Sequence, residues 1–300
     1  MDMTQDKCCR HGASLRRRRR RRRKILRSII FSCSIIAVAV FVAVGSRMIT
    51  SGDGGTNKYD VEAGNNTYDN AVIENSKITE KNKIQNNQSM LDDIMNSTQY
   101  PKQLKDLALK NEEALEFVYD YPAEHVKEHT IDLTEEASMD SVPLFVQWDK
   151  RWGYEKYSGN FFAASGCGPT TLSMVVVYLT HNREASPIAV AKYSKEAGYS
   201  VDGSGSSWTL ISEGCRHYGV KAKTVALDES RMKAELDAGH PIVVNVGPGD
   251  FTDTGHFMVI TGYDDEGFSI NDPNSIEKSG KRWLFKNISS QIRAVWSMYV

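Results

Sequence analysis

The chain of 300 residues carries 37 Lys and Arg against 38 Asp and Glu, with 40% hydrophobic residues and a mean hydropathy of −0.44. That length admits one to three domains, and the formal net charge of −1 hides an uneven distribution. Residues 1–27 hold twelve Lys and Arg against Asp2 and Asp6, so the rest of the chain is net acidic, which excludes a generally basic nucleic-acid binder.

The unbroken arginine block at 16–23, taken alone, reads as a nucleic-acid or nuclear-localisation patch. The adjoining segment points elsewhere. Residues 28–44 are uncharged and apolar, and with Ile25 and Leu26 the span reaches about 20 residues, enough to cross a ~30 Å hydrocarbon core. Because Lys and Arg stay on the cytoplasmic side, residues 1–27 are expected as a cytoplasmic tail and 28–45 as a transmembrane signal anchor, with everything beyond it outside the membrane. A cleaved signal peptide is the rival reading, since Ala43-Val44-Gly45 resembles a small-residue cleavage site, and cleavage would release the domain. The apolar core is longer than a signal peptide's, which favours the retained anchor. On this topology Cys8 and Cys9 face the cytosol and Cys33 lies within the bilayer, all three as candidates for lipidation.

Residues 46–89, rich in Asn, Gly, Asp, Lys and Thr, have too few apolar side chains to offset the entropy of ordering and are expected as a disordered stalk. Over 90–140 apolar residues return at helical spacing: Leu104, Leu107, Ala108, Leu115 and Val118, with an interruption near Asn111. This predicts one or two amphipathic helices that end before Pro122 and pack on the domain C-terminal to them.

The compact domain is expected at 141–300. Helices are predicted at 168–180, at 187–197 after Ser186 as N-cap, at 208–218 with Gly219 beyond its end, and at 229–237. Strands are predicted at 220–225, 242–246, 256–263, 268–271, 283–285 and 294–299. Helices first and an antiparallel sheet second make an α+β domain.

Its chemistry centres on Cys167, in Ser165-Gly166-Cys167-Gly168-Pro169-Thr170 at the head of the apolar run 172–179. A thiol in the first turn of a helix meets unpaired N–H groups and the positive end of the dipole, both of which favour the nucleophilic thiolate. Gly168 is expected to let a substrate come close, and Pro169 fits where its missing N–H costs nothing. Cys215, in a predicted helix, reads as a core residue. A Cys167–Cys215 bridge is the alternative to a reactive thiol.

A thiol nucleophile needs a base, and the base needs a third group to hold it. His256 leads, because Gly255-His256-Phe257-Met258-Val259-Ile260 sets an imidazole at the mouth of an apolar strand. His240 sits in a turn, His181 and His217 at helix C-termini, and His125 and His129 in a polar connector. Asp272, just before Pro273, shares a face with His256 if Gly267 forms the bulge of a three-residue hairpin loop; a two-residue turn presents Asn271 instead. In both cases an ideal ladder leaves imidazole and partner several residues apart, so the strand must bend back. The aromatic residues Trp148, Trp152, Tyr154 and Tyr157 read as core, 203–207 as a flexible loop, and Asp250, Asp253, Asp264 and Asp265 as solvated turns matching no calcium loop.

Several blocks, in order, resemble the papain-like cysteine peptidases similar to the bacteriocin double-glycine leader peptidases, in their stand-alone exported branch. They are 142–149 (VPLFVQWD), Arg151-Trp152-Gly153, the 165–170 block, Gly255-His256-Phe257 and Asn271-Asp272-Pro273. The resemblance covers about 141–300. It implies a papain-like fold whose helical half carries the nucleophile and packs on an antiparallel sheet. It also implies Cys167 as nucleophile, His256 as base, Asp272 as its orienter and Gln147 as oxyanion-hole donor, acting on a peptide or protein substrate without metal or organic cofactor. The nineteen residues between Gln147 and Cys167 exceed the compact papain spacing. The same thiol and imidazole would also serve a cell-wall amidase or endopeptidase of the NlpC type or an acyl transferase, and a bridged Cys167 would leave a non-catalytic binding module.

Overall fold

The computed structural model describes residues 66–300; the basic tail, the expected anchor at 28–45 and the start of the expected stalk lie outside the described residues. Among the described residues no helix is long and apolar enough to cross a membrane.

The stretch expected to be structureless through residue 89 is instead helical from its later part onward, as α1 (Asn66–Asn96). Neither Gly nor Pro occurs between Asn65 and Tyr100, so nothing in the run breaks a helix. Its far end is anchored: Ile94 is fully buried, and Met90 and Leu91 pack beside it against Leu104 and Leu107. Once that end is nucleated, adding polar turns costs little, which the count of apolar residues overlooked.

Next, α2 (Lys102–Lys110) stops at Asn111, whose extended backbone breaks the helix and whose side chain accepts from the Glu113 N–H to cap the following turn, Glu112–Ala114. Leu104, Leu107, Ala108, Leu115 and Val118 are buried as their spacing predicts. They share a cluster with Phe161 and Ala163, so the segment packs on the domain C-terminal to it. Pro122, expected beyond the last turn, lies inside the first turn of the short helix Tyr121–Glu124, where a missing N–H is no loss.

The helical half of the domain is built on α3 (Cys167–Thr180), in which positions 168–177 are all buried. It is flanked by α4 (Pro187–Glu196), capped by the Ser186 hydroxyl. The predicted helix at 208–218 divides into Thr209–Ser212 and a tighter turn, Gly214–Tyr218, before Gly219 with φ +75° reverses the chain. A side chain at Gly214 would press on Tyr199 and Leu210, so the interruption lets that turn pack closely. The last helix of this set is α5 (Glu229–Asp237), capped by Asp228.

Six strands form the sheet: β1 (Lys221–Thr224), β2 (Ile242–Val246), β3 (His256–Asp264), β4 (Gly267–Asn271), β5 (Arg282–Trp283) and β6 (Ile292–Tyr299), in the order β1-β6-β2-β3-β4-β5, every neighbour antiparallel. The strand predicted through Phe285 ends at Trp283, and Phe285 opens a short helix. Both faces of the central strands are covered. Phe257 and Val259 join the core around α3, while Met258 and Ile260 join a second core with Met232 of α5 and Ile288.

Of the two hairpin closures that the sequence leaves open, the β3–β4 hairpin adopts the two-residue turn, Asp264 pairing with Gly267, and not the three-residue loop with a Gly267 bulge. That turn alone would bring Asn271 to the face of His256. Instead the ladder slips by one residue at Thr261: Gly262 pairs with Ser269, but Ile260 with Ile270. The shifted register, carried one residue past Asn271, sets Asp272 opposite Met258, a single diagonal step from His256.

Candidate active site

Cys167 is the first residue of α3 and stands, partly exposed, in a cleft of about 480 Å³. Burial alone would raise its pKa. The hydrogen bond and positive charge of the His256 imidazole, with the N–H groups of Phe257 and Gly168, reverse that and hold the thiol below its ordinary value. Cys215 shows the opposite behaviour: fully buried and without such a partner, it is pushed up to about 11. Both are free thiols, so the alternative of a Cys167–Cys215 bridge is not what the structure contains.

Gly168 plays a different part from the one expected. It is buried, and a Cβ there would lie 2.5 Å from the Ser206 hydroxyl oxygen, so its missing side chain makes room for the chain's own loop rather than for substrate. That loop, expected to be flexible, is a small antiparallel turn, Ser200–Val201 with Gly205–Ser206, and the Ser206 hydroxyl is hydrogen-bonded to the Tyr157 hydroxyl at 2.6 Å.

His256 begins β3 and is 6% exposed. Its Nε2–H donates to Asp272 Oδ1 at 2.7 Å, which leaves Nδ1 for the thiol. Asp272 is fully buried; Oδ1 also accepts from the Asn274 N–H at 2.8 Å, and Oδ2 accepts nothing among the described residues. A buried carboxylate with so few donors is balanced chiefly by a cation. Burial would lower the imidazole's pKa, but the Asp272 charge and hydrogen bond, joined by the thiol, outweigh it and raise His256 to about 10. The neighbouring Asn271 points elsewhere, donating to the carbonyls of Val142 and Pro143. Asp272 and not Asn271 therefore meets the imidazole.

Gln147 reaches the same cleft. The long spacer between it and Cys167 folds back as a hairpin, Lys156–Tyr157 with Asn160–Phe161, followed by the turn Phe162–Ser165. The Gln147 Nε2 donates to the Ala163 carbonyl at 2.7 Å and keeps a second hydrogen to donate, while its backbone N–H donates to the Pro273 carbonyl at 2.7 Å. The remaining described histidines are engaged elsewhere: His125 stacks on Tyr121, His217 on Tyr193, and His129, His181 and His240 are bonded to Glu124, Ala137 and Glu235.

Two parts of the cleft were not anticipated. One part of the lining comes from α2, through Gln103, Asp106 and Lys110; another is the loop 249–255. The only sequence signal for the first was the interruption at Asn111, where α2 ends and which itself lines the cleft.

A thiol at the head of a buried helix, facing an imidazole and a carboxylate on an antiparallel sheet, is the arrangement of a papain-like cysteine peptidase fold of the α+β class. Consistent with it, a sequence model of the Peptidase C39-like family matches residues 139–300, and the chain belongs to that family. Two solved structures are similar to it. One is a C39-like peptidase from Bacillus anthracis, 16% identical over 53% of this chain and 95% of that one, with a TM-score of 0.34. The other is the peptidase domain of Streptococcus ComA, a bi-functional ABC transporter involved in a quorum-sensing pathway, 19% identical over 53% of this chain and 96% of that one, with a TM-score of 0.38. No curated protein matches the chain.

Proposed function

We propose that this protein is a cysteine peptidase that hydrolyses peptide bonds through Cys167, His256 and Asp272, with Gln147 completing the oxyanion hole. The observation that carries the reading is the buried imidazole shared between the thiol and the Asp272 carboxylate, with opposed shifts that favour a thiolate–imidazolium pair. The Cys167 thiolate attacks the substrate carbonyl, and the oxyanion that forms accepts hydrogen bonds from the Cys167 N–H and Gln147 Nε2. The His256 imidazolium gives its proton to the leaving amine as the C–N bond breaks, leaving a thioester. His256 then takes a proton from water, the resulting hydroxide equivalent attacks the thioester, and the acid leaves as the C–S bond breaks and the Cys167 thiolate is expelled, which restores the thiolate–imidazolium pair. Asp272 keeps the imidazole oriented throughout and stabilises it each time it is protonated.

The basic tail and the apolar run at 28–45 support a domain tethered outside the membrane, acting on peptide or protein substrates there. Profiling a peptide library with the wild type and Cys167→Ala, together with labelling by a thiol-directed epoxide, tests the chemistry. Cleavage and label should both depend on Cys167; labelling that Cys167→Ala leaves unchanged overturns the reading. Deleting residues 28–45 should release the protein from membranes, and retention after that deletion would rule out the tether.

A further inference from the structure

The family match begins at residue 139, yet the loop that carries Asp272 is held by residues well upstream of it. The Glu113 carboxylate accepts from the Ser275 hydroxyl, from the Ile276 N–H at 2.7 Å and from the Glu277 N–H at 3.1 Å. Asn111 Nδ2 donates to the carbonyl of Asn274 at 2.9 Å and to its side-chain oxygen at 3.1 Å. Ser275 is 5% exposed, and its hydroxyl caps the turn by accepting from the Lys278 N–H. From that turn Ser279 Oγ donates to the Ser275 carbonyl and accepts from the Asp272 N–H at 2.9 Å, while the Asn274 N–H fixes Asp272 Oδ1. On its other side the loop is tied to Gln147 and Trp148, through Pro273 and Asn274 respectively.

We infer that Glu113 is a positioning residue for the active site: by gripping Ser275 and the two N–H groups after it, it sets the Asp272 carboxylate against His256, so the helical segment before the family domain is an integral part of the catalytic machinery. This rests on the peptidase reading. The argument is one of geometry. The loop 272–279 pairs with no neighbouring strand: apart from the Gln147 N–H on the Pro273 carbonyl, its backbone–backbone bonds are internal, in the Asp272–Ser275 bridge and the helical turn Ile276–Ser279, so its placement against the rest of the domain depends chiefly on side-chain hydrogen bonds. Three of those end on one carboxylate, and a charged acceptor makes them stronger than neutral ones. A displacement of the order of 1 Å at Asp272 is enough to break a 2.7 Å contact with the imidazole.

The test reads the thiol–imidazole pair directly, without a substrate. In the full-length protein, the rate of Cys167 alkylation by iodoacetamide is followed against pH, with the modified peptide identified by mass spectrometry. Besides Cys167, His256 and Asp272, the charged groups around the cleft are Asp106, Lys110, Asp250, Asp253 and Lys278, all unchanged by the substitution. In Glu113→Ala the Asp272 carboxylate holds the imidazolium less well, so the thiolate forms later and the midpoint of alkylation moves to higher pH by about one unit. Glu113→Gln, which keeps one acceptor oxygen, shows a smaller shift, and it provides the same readout if Glu113→Ala does not fold. Folded variants with an unmoved midpoint overturn the inference while leaving the peptidase reading intact. A wild type whose Cys167 titrates as an ordinary thiol overturns both.

Discussion

His256 and Asp272 meet at 2.7 Å because the ladder between β3 and β4 contains one extra residue, Thr261. Without the slip, the two-residue turn at 265–266 would offer the imidazole Asn271, a neutral amide. With it, a carboxylate arrives on the right face and one diagonal step away.

Replacing the carboxylate by the isosteric amide tests how much of the imidazolium's stability is charge. His256 is raised to about 10 chiefly against a burial penalty that Asp272 offsets. In Asp272→Asn the imidazolium is therefore lost at lower pH, so the alkaline limb of the kcat/KM profile moves down from near 10. Loss of the orienting charge should also reduce kcat by on the order of 10²-fold or more. An unshifted alkaline limb, measured with a fluorogenic peptide found by library profiling, would show that something other than Asp272 holds the proton.

Gln147 provides a separate handle, because it touches neither proton of the thiol–imidazole pair. Removing one oxyanion donor costs the transition state and not the bound substrate, so Gln147→Ala should lower kcat by on the order of 10²-fold with KM little altered. Its alkylation profile at Cys167 should stay that of the wild type. A large rise in KM with kcat preserved would instead make Gln147 a substrate-binding residue.

The parts of this fold written in single residues or short periods were legible in the sequence. Cys167 at a helix start, His256 at the mouth of an apolar strand and the buried stripe Leu104, Leu107, Leu115, Val118 all follow from local pattern. The bulge at Thr261 was not legible, because its one local mark, the adjacent Gly262, is outweighed by the better-known turn signature at Gly267. Nor was the role of Gly168, whose neighbour Ser206 lies 38 positions away in sequence and becomes a contact only after the domain folds. The hold of Glu113 on Ser275 spans 162 positions and depends on how α2 packs. Polar contacts at such separation leave no periodic trace.

Away from the cleft, Glu235 gives a prediction about stability. Hydrogen bonds from Lys223 on β1, from His240 and from Ser297 on β6 lower its pKa to about 2, against the resistance of burial. A depressed folded-state pKa stabilises the fold above the unfolded value, near 4.3, and that contribution disappears as pH falls through the folded value. Wild type should therefore exceed Glu235→Gln in Tm at pH 7, and the gap should close between about pH 4.3 and pH 2. A gap independent of pH would assign the loss to packing of α5 and not to charge.

Gly168 supplies a steric test of how the nucleophile's helix is seated. A methyl group there would sit 2.5 Å from Ser206 Oγ and 2.7 Å from its Cβ, contacts that no real side chain tolerates, so either α3 or the Gly205–Ser206 turn must move. Overpacking of this kind costs about 1–3 kcal/mol. Because Cys167 precedes Gly168, a shift of α3 would also carry the thiol out of line with His256. Gly168→Ala should lower both Tm and the rate of Cys167 alkylation at neutral pH. Adding Ser206→Gly removes the atoms in conflict, at the loss of the Tyr157 hydrogen bond, and should restore alkylation more fully than stability. If the double variant alkylates as slowly as Gly168→Ala alone, the glycine is serving something other than this contact, and the approach of substrate returns as its explanation.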